Sequence, residues 1–218
     1  MTVVLTNSDL ANGTLATYYA VAHLLDSLDR NAWHTPTRCT DWEVRDVAGH
    51  VVGLAGDAVA GVPGSRTPDE HAAALRDHSP AELAAQLRTS VALLRAFVEA
   101  LDDVAWNGPS GVPDMTLAQG VHGLWFDTYV HLDDINTALG HAPDRGPGLA
   151  AGVAFLARSL TNRGWGPATL ALDGIPRVDV GAGGPMVTGD PHHFVLVASG
   201  RADAATLGLD PNVNIYAT

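Results

Sequence analysis

A chain of 218 residues, 46% of them hydrophobic and 17% charged, carries enough apolar side chain for a packed core. Disorder, whose mark is low hydrophobicity with high charge, is excluded for most of it. The net charge of -12, with 24 acidic residues against 12 basic ones, repels phosphate backbones, so nucleic acid is not an expected partner.

No apolar run approaches the roughly 20 residues of a membrane helix. The opening Met1-Thr2-Val3-Val4 lacks the basic region and apolar stretch of a secretory signal. A single cysteine, Cys39, excludes an internal disulfide framework and a cysteine-based zinc site within one chain, and a reducing, cytoplasmic setting is expected. All twelve basic residues are Arg, and with heavy Ala, Gly, Val and Asp usage the composition is that of a high-GC genome, actinobacterial in style.

In chain order, Leu10, Thr14, Tyr18, Val21, Leu25 and Leu28 recur at helical steps, with Asn7 and Ser8 as possible caps. Thr40-Asp41-Trp42-Glu43 has capping-box form before Val44, Val47, Val51, Leu54 and Ala58, and this second helix ends at Gly61-Val62-Pro63-Gly64. Ser79-Pro80-Ala81-Glu82 starts a third helix, striped by Leu83, Leu87, Val91, Leu94, Val98 and Leu101. After a Gly- and Pro-rich loop from Asn107 to Asp114, a fourth helix runs from about Thr116 to Leu139 and closes at Gly140. Together these predict a mainly α protein whose residues 1–143 form an up-down four-helix bundle.

The composition shifts after Pro143. Arg145-Gly146-Pro147-Gly148 reads as a linker, with a short helix from about Leu149 to Leu160. Thr169 to Leu172 and Val178 to Val180 read as a hairpin, Asp190 as the cap of a helix over Phe194 to Ala198, and Val213 to Tyr216 as a last strand. Residues 148–218 are expected to form a small α+β domain. No internal repeat is evident.

The fourth helix carries more than its apolar stripe explains. Asp127, His131 and Asp134 are spaced by four and three residues, so they share one face. His50, among Val47, Val51 and Leu54, also points inward. A buried carboxylate without a partner costs several kcal/mol. Two imidazoles and a carboxylate on facing helices make a three-ligand set with open positions, the stoichiometry of a catalytic zinc site. Hydrogen-bonded core histidines, or an Asp127–His131 ion pair, account for the same residues, and pattern alone leaves all of these open.

Among the other polar residues, Cys39 reads as a packing residue before the Thr40 cap. Arg45 and Asp46 read as a surface or interhelical pair. His122, His192 and His193 read as solvent-facing, and Trp125 as core or pocket wall.

From Trp33 the chain reads W-x-x-P-T-x-C-x-x-W-x-V-R-D-V-x-x-H-V, and from Asp127 it reads D-x-x-x-H-x-x-D-I. Both resemble motifs of the DinB-like, mycothiol-dependent maleylpyruvate isomerase family, the second with Asp127 where the family carries Glu. The stretch from Val187 through Ser199-Gly200-Arg201 is similar to that family's small α+β domain. The resemblance implies a metal, zinc by default, on His50, Asp127 and His131, with Asp134 as the acceptor behind His131. It implies mycothiol as the thiol. Arg201 is a candidate for binding a substrate or thiol carboxylate, against a plain surface role. The expected activity is that of a mycothiol-dependent isomerase or S-transferase acting on a small-molecule electrophile. A metal-dependent hydrolase and a non-catalytic metal- or ligand-binding bundle stand as alternatives.

Overall fold

The computed structural model describes residues 5–217. The chain divides into two compact units, Thr6–Pro143 and the residues from Asp144 onward. In the first, the described helices are α1 (Asn7–Asp26), α2 (Arg30–Trp33), α3 (Val44–Val59), α4 (Pro68–Leu75), α5 (Pro80–Glu99), α6 (Asp103–Trp106) and α7 (Leu117–Ala138). The protein is mainly α, and its four long helices here form the expected bundle. α1 and α3 each pack on both α5 and α7, so α1 and α3 face each other across the core.

The apolar stripes drive that packing. Tyr18, Val21 and Leu25 of α1, Val44, Val47 and Val51 of α3, Leu83, Leu87 and Val91 of α5, and Ile135 of α7 are all fully buried. Trp125 is buried core, as expected, and α1 has no side chain where the indole lies. A Cβ on Gly13 would stand 2.2 Å from the ring of Trp125. Ala is the better helix former by about 1 kcal/mol, yet Gly13→Ala is expected to destabilise the protein by about 2 kcal/mol through overpacking. Urea unfolding measures the sign, and a stabilised variant would show that the indole moves freely.

Several helix starts differ from the sequence expectation by a few residues. α1 is capped by Thr6, whose hydroxyl accepts from the N–H of Asp9, not by Asn7 or Ser8. For α3 the capping box falls three residues later: Glu43 is the cap, and the carboxylate of Asp46 accepts from its N–H at 3.0 Å. Thr40 and Asp41 instead lie in a turn where Asp41 takes φ 64°. Arg45 pairs with Glu43 at 2.8 Å and Asp46 with Arg76 at 2.9 Å. Adjacent helical residues point in different directions, so Arg45 and Asp46 do not pair with each other.

The bundle contains a repeat of shape. α1, α2 and α3 start at Asn7, Arg30 and Val44, and α5, α6 and α7 start at Pro80, Asp103 and Leu117, each 73 residues on. Isolated bridges Pro36–Glu43 and Pro109–Thr116 keep the same offset, as do Asp41 and Asp114, the two non-glycine residues at positive φ among the described residues. Trp33 and Trp106, both buried, also correspond. The repeat escapes a sequence reading because few residues coincide beyond these punctuating ones.

The second unit contains α8 (Pro147–Asn162), β1 (Ala168–Leu172), β2 (Val178–Val180), β3 (Met186–Gly189) and α9 (Pro191–Ala198). The expected β1–β2 hairpin forms, antiparallel with Leu170 opposite Val178. β3, which the sequence reading passes over, adds to the other edge of β1 in parallel. The expected strand from Val213 to Tyr216 is absent among the described residues. Asp210 and Pro211 start a 3-10 turn over Pro211–Val213, and the N–H of Ile215 donates to the carbonyl of Ala198 at the end of α9. No described helix is long and apolar enough to cross a membrane.

Candidate metal centre

His50 lies in the middle of α3, and Asp127 and His131 lie one turn apart on α7. Because α3 and α7 are neighbours in the bundle, one ligand atom from each of the three falls within 4.8 Å of the others. Nε2 of His50 is 3.3 Å from Oδ2 of Asp127, and Nε2 of His131 is 3.7 Å from Oδ1 of the same carboxylate. The two rings meet edge to face, centroids 4.9 Å apart. His50 is buried, whereas Asp127 keeps 24% of its side chain exposed. The cluster therefore keeps contact with solvent on the Asp127 side. Half-buried Trp42 lies beside both imidazoles, at 5.7 and 6.2 Å between centroids.

The far nitrogen of each ring is held by a second group. On α7, Nδ1 of His131 lies 3.0 Å from Oδ2 of Asp134, which is fully buried. Arg38 donates from Nε to the other Asp134 oxygen at 2.6 Å and also pairs with buried Asp133. An Arg-bound carboxylate accepts only, so Nδ1 of His131 donates to it, and in the neutral ring this leaves the lone pair on Nε2, the nitrogen that faces Asp127. Cys39 donates its thiol at 3.2 Å to Oδ2 of Asp134, the oxygen that His131 faces. Cys39 thus belongs to this network and does not act as a mere packing residue. Cys39, His131 and Asp134 form a second grouping of possible ligands, but there Arg38 already neutralises the carboxylate.

Behind His50 stands a residue that the sequence reading does not single out. His71, on α4 and fully buried, places Nδ1 3.3 Å from Nδ1 of His50 and Nε2 2.8 Å from Oδ2 of Asp57. Arg66 clamps Asp57 from the other side. Burial pushes the Asp57 carboxyl up, but the hydrogen bonds from Arg66 and His71 outweigh it and hold its pKa below the ordinary value. The signal for α4 is present in the sequence. Thr67-Pro68-Asp69-Glu70 has the same capping form as the start of α5, but eight residues show no stripe.

Neutral imidazoles that turned their Nε2 lone pairs on one carboxylate would repel it unless positive charge lay between them. Two protons would make adjacent imidazoliums, whereas one divalent cation serves all three groups, so this donor set fits zinc.

Elsewhere, His122 is buried, contrary to its solvent-facing reading, because α7 is covered on more than one face. His192 and His193 are half-buried, and Nε2 of His193 lies 2.8 Å from the Thr206 hydroxyl. Arg201 belongs to the second unit, where it donates to the carbonyl of Ser199 at 3.2 Å.

Residues 16–136 match the model of the mycothiol maleylpyruvate isomerase N-terminal domain. The chain belongs to that family. Two solved structures share its fold. A mycothiol-dependent maleylpyruvate isomerase is 17% identical, with a TM-score of 0.67 over 95% of this chain and 96% of the other. A His-to-Ala mutant under the same enzyme name is 18% identical, with a TM-score of 0.60 over 91% and 90%. No curated protein matches the sequence.

Proposed function

We propose that this protein is a metal-dependent enzyme that uses mycothiol on a small activated electrophile, and that its reaction is cis-trans isomerisation of a double bond conjugated to a carbonyl. The observation that carries the metal is the convergence of two Nε2 atoms on the Asp127 carboxylate, each ring anchored through Nδ1. Family membership supports the thiol and the reaction class. In this reading His50, Asp127 and His131 hold zinc. Bound there, zinc supplies a cationic position at which a thiol ionises near neutral pH.

The residues of the chain orient and enclose. Asp134 and His71 hold the imidazoles, and Trp42 limits water on one side of the pair. Asp127 removes one unit of positive charge while leaving the centre cationic. Arg201 is the proposed binder of a substrate or thiol carboxylate, because a guanidinium can grip a carboxylate through two N–H donors and because of its place in the Ser199-Gly200-Arg201 motif. A reducing cytoplasm suits both a thiol partner and the single cysteine.

The test incubates zinc-loaded protein with maleylpyruvate, the substrate in the names of the structural relatives, with and without mycothiol. Products are identified by mass and by proton NMR. The trans isomer, unchanged in mass and formed only with thiol, is the expected product, and Cys39→Ser should retain the activity. A product heavier by the thiol would make the protein an S-transferase. Turnover without thiol would point to metal-activated water and overturn the reading.

A further inference from the structure

We propose that His71 is a positioning residue that locks His50 in the tautomer with hydrogen on Nδ1, so that the Nε2 lone pair of His50 stays turned toward Asp127. Its consequence for zinc rests on the reading above, whereas the tautomer itself does not.

His50, Gly53 and Asp57 follow one another at three and four residues, so they line one face of α3. His71 lies along that face. Its Nδ1 meets His50, its Nε2 meets Asp57, and its ring crosses the backbone of Gly53, where a Cβ would come within 2.7 Å of it. The missing side chain at Gly53 is what admits the imidazole. The Asp57 carboxylate accepts only, and Arg66 keeps it charged, so Nε2 of His71 must donate. Nδ1 of a neutral His71 is then an acceptor, and the sole hydrogen that reaches it from His50 is on Nδ1. His71 is 1% exposed, so its hydrogen-bond partners are these groups and not bulk water. The run from Arg66 through Asp57 and His71 to His50 thus orients a ligand in the way that outer carboxylates and carbonyls orient metal-bound histidines.

Two measurements test this on the full-length protein. Long-range proton–nitrogen correlation spectra of the metal-free protein at about pH 8 report the tautomers, and competition against a chromogenic chelator reports zinc affinity. Wild type should show hydrogen on Nδ1 of His50 and on Nε2 of His71. In Asp57→Asn the single amide oxygen turns to Arg66, which can only donate, and the amide nitrogen faces His71. Both imidazoles then reverse tautomer, and zinc affinity should fall roughly 10- to 100-fold. His71→Phe should lose affinity to a similar extent. His71→Gln, which keeps one acceptor and one donor, should recover most of it.

Hydrogen on Nε2 of His50 in the metal-free wild type would overturn the proposal, as would Asp57→Asn and His71→Phe with unchanged zinc affinity. A wild type with the stated tautomers that binds no zinc would support the positioning role and sink the zinc reading.

Discussion

His131→Ala leaves the bundle folded and removes both zinc binding and thiol-dependent turnover. The bundle is held by the apolar faces of α1, α3, α5 and α7, and a side chain at its partly open centre contributes little to them. Far-ultraviolet circular dichroism should therefore match wild type. The proposed zinc site, in contrast, would lose one of its three protein ligands. Removing a group behind a ligand costs up to about 100-fold in affinity, so loss of the ligand itself should exceed that. Asp134 keeps Arg38 and Cys39 as donors, which prevents a buried carboxylate from being stranded and keeps the experiment clean. Zinc bound at wild-type strength by His131→Ala would show that the proposed ligand set is wrong.

Arg38→Ala should have the largest effect on stability. Its guanidinium reaches two carboxylates, Asp133 at 3% exposure and Asp134 at 0%. Breaking a buried ion pair by deleting one partner costs about 3–5 kcal/mol, because the remaining charge has neither water nor a counterion. Asp134 would recover by taking up a proton, and a protonated Asp134 donates to Nδ1 of His131. That reverses the imidazole and turns its lone pair away from Asp127. Chemical unfolding should thus show a loss of at least about 3 kcal/mol, accompanied by weakened zinc binding. A change within about 0.5 kcal/mol, typical of surface substitutions, would show that Arg38 is not the counterion it is taken to be.

The parts of the molecule that were legible in the sequence are those governed by local periodicity. The four stripes, the start of α5 and the shared face of Asp127, His131 and Asp134 all follow from 3.6 residues per turn. His50 was legible because it interrupts an apolar run. The supporting groups were not, since Arg38 reaches Asp134 across 96 positions and His71 reaches His50 across 21. No spacing rule applies at such distances. Short elements fared worst: α4 and β3 are too brief for periodicity, and the run from Val213 to Tyr216 looked like a strand because four residues cannot distinguish a strand from a turn. His122 was misread because α7 is buried on more of its surface than one stripe implies.

The 73-residue offset between the two halves of the bundle bears on how such a centre arises. Two halves of matching build, each a long helix, a short helix, a bridge and a long helix, are what duplication of a half-length ancestor leaves behind. Had identical half-chains simply paired, every donor would occur twice, and a metal on their symmetry axis would meet an even-numbered ligand set. Fusion into one chain lifts that restriction. One copy carries His50, its counterpart 73 residues on being Gly123, while the other carries Asp127 and His131, counterparts of Leu54 and Ala58. An odd set of two imidazoles and one carboxylate at the middle of the bundle is an asymmetry that the divergence of the two halves makes available.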